Sequence, residues 1–211
     1  MNRKRILCFD FETTGLNFLT DKPIEYAAMS IETDGTVKTI EGFVKYNGVL
    51  SDTVKSLTNL TDEILLQKGE TYEEAMTKLI NFIGIKQEEM VNDVILLGHN
   101  MLNFDIHFLD LACATLGYDI VNPAMYWDTA GCYKANKLNL VKTPAETVSQ
   151  YHKRGLDTFA KGLYFRLPVV CTELGIPFVE THRALSDVEA TLRVFRHQAG
   201  TYSTHFRELL G

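Results

Sequence analysis

The sequence predicts an α/β fold, a mixed central sheet of about five strands flanked by helices. Three observations carry that prediction. Two apolar strand-like stretches joined by an Asp-Gly turn open the chain as a meander. Helical patterns then alternate with short apolar runs, and a long amphipathic stripe closes the chain. The 211 residues are read as a single domain spanning 1–211, long enough for a sizeable core.

The first strand is "RILCFDF" (5–11), followed by the turn "TTGL" with Gly15 as breaker. "IEYAAMSIE" (24–32) is the second strand, "TDGT" (33–36) the hairpin turn, and "TVKTIEGFVKY" (36–46) an antiparallel third strand. A short helical turn is expected after Thr61. "TYEEAMTKLINFI" (71–83) reads as an amphipathic helix, with Ala75, Leu79 and Phe82 on one face and acidic residues in its first turn. "VILLG" (94–98) is continuously apolar, as a strand covered on both faces should be. "FDIHFLDLACATLG" (104–117) is a helix closed by Gly117, and "AMYWDT" (124–129) is the fifth strand. Residues 133–166, mixed and partly basic, are expected to be an insertion of short helices. "LPVVCTELGIP" (167–177) reads as a helix capped by Gly175. "ALSDVEATLRVFRHQAG" (184–200) carries Leu185, Val188, Leu192 and Phe195 on one stripe.

Composition narrows the function. A net charge of −6 and a pI near 5.5 argue against a broad basic surface wrapped on duplex nucleic acid. They leave room for a site that is acidic because it holds cations. Cys8, Cys113, Cys132 and Cys171 lack CxxC spacing and read as buried free thiols of a reducing compartment. Asp10 and Glu12 interrupt any apolar leader after the basic start "MNRKRILCF", and no run approaches the roughly 18 apolar residues of a membrane helix. The chain therefore reads as cytoplasmic, with no membrane partner.

One stretch, "CFDFETTGL" (8–16), sets two carboxylates in the first strand. Residues i and i+2 of a strand share a face, so Asp10 and Glu12 lie side by side, a costly pairing unless a cation lies between them. An exposed edge strand with a polar face is the alternative. Asp105 opens a helix just after a buried strand, where α/β sheets bind ligands, although a lone Asp there also complements the helix dipole. His182 and Asp187 stand at the start of the last long helix. Both can address one site only if His182 lies in the loop before that helix.

These residues fall in three ordered motifs: "FDFETTGL", "HNMLNFD" and "HRALSDVEAT". Together they resemble the DEDDh family of 3′–5′ exonucleases, and the branch most similar is the proofreading type of the DNA polymerase III epsilon subunit. "SLTNLTDEI" and "WDT" resemble further family landmarks. The resemblance implies an RNase H-like fold and two divalent ions, Mg²⁺ or Mn²⁺. It implies Asp10 between both ions, Glu12 and Asp187 on the first, and Asp105 on the second, with His182 as general base toward the attacking water. Backbone N–H groups of Thr13 and Thr14, with Leu16 as an apolar wedge, would receive the terminal nucleotide; turn packing is the other reading of Leu16. His99 and Asn100 would contact substrate, or Asn100 would cap the helix. Phe104 would stack a base or fill the core. The expected partner is the 3′ end of single-stranded or frayed DNA, with a DNA polymerase subunit as a second partner. Alternatives are an RNA or short-oligonucleotide substrate, or a polymerase-binding module that has kept the fold. Residues 133–166 exceed the compact proofreading form, which leaves substrate and partner open.

Overall fold

The computed structural model describes residues 4–86, 91–178 and 183–210. The opening meander consists of β1 (Arg5–Thr13), β2 (Pro23–Ile31) and β3 (Val37–Phe43), each antiparallel to the one before. Its hairpin turn places Gly35 at φ +90°, a left-handed conformation that glycine adopts without a Cβ clash. The third strand is shorter than its β-propensity suggests. At Val44 the backbone turns to a parallel bridge with Glu70, and Lys45 N–H donates to the Glu70 carbonyl at 2.7 Å.

Two short helices follow, α1 (Asp52–Thr58) and α2 (Asp62–Lys68), capped by the hydroxyls of Ser51 and Thr61. The sequence signalled only the second, because α1 buries just Thr58 and has no apolar stripe to read. Helix α3 (Tyr72–Ile83) begins with a reciprocal capping box between Thr71 and Glu74, and buries Ala75, Met76, Leu79, Ile80 and Ile83. Strand β4 (Val94–Gly98), buried at all five positions, lies parallel to β1. Helix α4 (Asp105–Leu116) ends at Gly117, φ +74°. Strand β5 (Tyr126–Asp128) extends the sheet in parallel, giving the order β3-β2-β1-β4-β5.

The remaining helices are α5 (Thr129–Lys137), α6 (Val148–Asp157), α7 (Leu167–Glu173), α8 (Ala184–Thr201) and α9 (Ser203–Leu210). Residues 133–166 thus hold the end of α5 and all of α6, which pack on each other and on β5. The alternation of β1 divides the core. Phe11 faces Phe108 of α4, with ring centroids 6.4 Å apart, while Asp10 and Glu12 turn to the opposite face, toward α8. All four cysteines are free and buried. Among the described residues no helix is long and apolar enough to cross a membrane.

Candidate active site

Three carboxylates converge at the carboxyl end of β1. One oxygen from each of Asp10, Glu12 and Asp187 lies within 4.8 Å of the others. β1 supplies the first two on one face. Asp187 comes from the first turn of α8, where its N–H donates to the Arg183 carbonyl at 3.2 Å. Asp105, buried at the start of α4, is tied to the same strand: its Oδ1 accepts the Phe11 N–H at 3.1 Å.

The site stores electrostatic tension. Burial, then the charges of Asp105, Glu12 and Asp187, hold Asp10 well above the usual carboxylate range. Glu12 is pushed up to about 8 by burial and by Asp187, Glu25 and Asp105, with Arg183 pulling the other way. Asp105 rises to about 7 because burial outweighs the Phe11 hydrogen bond. Divalent cations would reverse this balance, and the donor set suits them. It offers hard carboxylate oxygens alone, while the Cys8 thiol on the same strand face is buried and kept protonated by its surroundings.

An ion pair with one buried partner, Glu25, braces the cluster. Glu25 stands opposite Glu12 in the β1–β2 register. Its Oε1 accepts from Nε of Arg183 at 2.8 Å and lies 2.8 Å from Nη2 of the same guanidinium. The start of α8 is thereby pinned to β2 beside the acidic trio. Nothing in "PIEYAAMSI" marks Glu25 for this role; only the strand register exposes it.

Behind the cluster, Asp128 is fully buried and N-caps α5 through Gly131 N–H at 2.8 Å. It also accepts the Asn100 and Leu102 N–H groups, fixing the chain after β4. Its own N–H donates to Nδ1 of His152, a buried histidine for which the sequence held no signal. For Asp128 a signal was present: an Asp between a strand and a helix is an N-cap pattern.

The other expected contacts are distributed unevenly. Leu16 stands 84% exposed on the loop after β1. Thr13 is buried, its hydroxyl donating to the Gly15 carbonyl at 2.6 Å. The Thr14 N–H, expected to face a nucleotide, donates instead to the Lys22 carbonyl at 2.9 Å, and its hydroxyl donates to Asp21. His99 is likewise engaged within the protein. Its Nε2–H donates to the Phe165 carbonyl at 2.8 Å, which leaves Nδ1 to accept from the Thr129 hydroxyl at 2.9 Å, and burial lowers its pKa to about 4. Asn100 adopts φ +62° and caps no helix with its side chain; Asn103 donates to its Oδ1 at 3.2 Å. Phe104 packs edge-on to Phe108, centroids 5.1 Å apart. His182 lies outside the described residues.

Residues 7–195 match the RNase T model, described as an exonuclease. The PolC-type DNA polymerase III of Staphylococcus aureus is 29% identical over 187 residues, which cover 89% of this chain and 11% of that polymerase. Two solved structures of Escherichia coli exonuclease I share the fold. The complex with a dT13 oligonucleotide superposes with a TM-score of 0.70 at 19% identity, over 97% of this chain and 43% of that one. The zinc-bound complex with single-stranded DNA gives 0.71 at 19%, over 97% and 42%. The sheet is thus the RNase H-like one that the three motifs imply. The chain spans about a tenth of the polymerase's length and less than half of exonuclease I.

Proposed function

Because this chain belongs to the RNase T exonuclease family, of the DEDDh kind, we propose that it removes nucleotides singly from the 3′ end of single-stranded or frayed DNA, releasing nucleoside 5′-monophosphates. The observation that carries this reading is the convergence of Asp10, Glu12 and Asp187 within 4.8 Å, with Asp105 bonded to the same strand. Two Mg²⁺ or Mn²⁺ ions, when bound, activate water on one side of the phosphorus and stabilise the leaving 3′ oxygen on the other. Asp10, Glu12 and Asp187 would hold one ion, and Asp105 together with Asp10 the other. His182 accepts the proton of the attacking water, a task suited to an imidazole near neutral pH. The exposed Leu16 side chain supports the terminal base. The similarity to a DNA polymerase favours DNA as substrate and a polymerase as partner.

The test offers purified protein 5′-labelled single-stranded DNA, duplex DNA and RNA with Mg²⁺ or Mn²⁺. We expect a ladder shortening by one nucleotide from the 3′ end of the DNA single strand, protection by a blocked 3′ end, and no ladder in EDTA. Rapid cutting of circular single-stranded DNA, or a preference for RNA, would overturn the assignment.

A further inference from the structure

We propose that the loop between α6 and α7, residues 158–166, is the track along which the DNA single strand runs as it leaves the acidic site. The inference rests on the exonuclease reading and extends it from the terminal nucleotide to the nucleotides 5′ of it.

Charge singles the region out. In a chain of net charge −6, residues 133–166 hold seven of the 21 Lys and Arg against two acidic residues. Most of that basic charge serves the fold. Lys137 pairs with Glu173, Lys142 with Glu208, Lys153 with Asp157 and Arg154 with Glu146, while Lys134 is buried and donates to the Leu156 carbonyl. Lys161 and Arg166 are left, both exposed and without an ion pair among the described residues. Two large rings stand out beside them: Phe159 is 89% exposed and Tyr164 70%. Aromatic faces interleaved with free cations are what a single strand requires, bases stacking on the rings while phosphates meet the charges.

The loop is also anchored where such a track must begin. Leu163 and Phe165 turn inward against Tyr133, Val170 and Ala190, which leaves Tyr164 and Arg166 facing out. The Phe165 carbonyl is held by His99, which directly follows β4. Because β4 is parallel to β1, that strand end lies on the same side of the sheet as Asp10 and Glu12. The helix that follows the loop, α7, packs on α8, which carries Asp187 in its first turn. His99 thus positions the track from within.

The experiment compares wild type, F159A/Y164A and K161Q/R166Q on two substrates. One is a single-stranded DNA of about 12 nucleotides and the other is the p-nitrophenyl ester of thymidine 5′-phosphate, which is too small to reach the loop. Losing a stacked aromatic costs roughly 5- to 100-fold in affinity, so F159A/Y164A should raise KM for the oligonucleotide about tenfold or more and leave kcat within about twofold. K161Q/R166Q should flatten the dependence of log KM on log salt by about 0.7 for each charge removed. Both variants should hydrolyse the ester as wild type does, which also reports that they are folded. Wild type inactive on the ester and on DNA would sink the exonuclease reading itself. Wild type active on both, with oligonucleotide KM unchanged in F159A/Y164A, would overturn the track alone; such a result would assign the exposed rings to a protein partner.

Discussion

Asp10 and Glu12 show how a position that is unfavourable for folding becomes useful. Each carboxylate is held above its normal pKa by burial and by its acidic neighbours, so the metal-free cluster opposes its own ionisation. Asp10→Asn removes one charge from that crowd at nearly constant volume. We expect it to abolish hydrolysis while leaving the melting temperature in EDTA unchanged or higher, as read by a thermal melt beside the ladder assay. A large drop in that melting temperature, with activity retained, would contradict the shared-cation argument. These residues were legible in the sequence because two acids in one strand, with spaced partners, form a pattern no ordinary strand needs. Glu25 and His152 were not, since one polar residue in an apolar run acquires meaning only from what the fold sets opposite it. His99 was read as a substrate contact, and the fold turns it inward instead.

At the scale of the element, the attachment of α8 to β2 decides whether Asp187 reaches β1. Glu25 is 1% exposed and holds the Arg183 guanidinium, one residue before the first turn of α8. Breaking a buried pair by removing one partner costs about 3–5 kcal/mol, less where the remaining partner can reach water, as the partly exposed Arg183 can. Glu25→Ala should therefore lower the melting temperature by about 3–10 °C in a chain of this size. It should also weaken Mn²⁺ binding by calorimetry, because Asp187 loses its fixed approach, and Glu25→Gln should restore part of both. Unaltered Mn²⁺ affinity in Glu25→Ala would show that α8 is held by its apolar face alone. That face was readable in advance: Val188, Leu192 and Phe195 are buried as their spacing predicts. Helix α6 was obscured because its buried side includes Ser149, His152 and Gly155, which break the apolar stripe from which a helix is read. α9 is short and was missed altogether.

For the whole molecule, the buried titratable groups set a pH dependence with two limbs. Glu12 titrates at about 8 and Asp105 at about 7 in the folded protein, above their ordinary 4.5 and 3.8. Their contribution to stability is complete below those ordinary values and is lost as pH rises through the folded ones. His99 and His152, lowered by burial to about 4 and about 3 from 6.5, act oppositely, so their contribution is lost as pH falls below 6.5. Above 6.5, among the described residues, the raised carboxylates set the trend. In EDTA the melting temperature should fall between about pH 6.5 and 8, and saturating Mn²⁺ should flatten or reverse that fall. A melting temperature that climbs over this interval in EDTA would refute the account. The order of elements, a meander followed by alternating helices and strands, was plain from the sequence, and the three ordered motifs already implied a site closed from opposite regions of the chain. Asp10 and Glu12 are made near the beginning, and Asp187 only when α8 follows. A nascent polypeptide that has already built β1 and β4 on the ribosome still lacks the third carboxylate. Synthesis order therefore sets when the site is finished: it stays one carboxylate short until α8 has emerged and docked on β1 and β2.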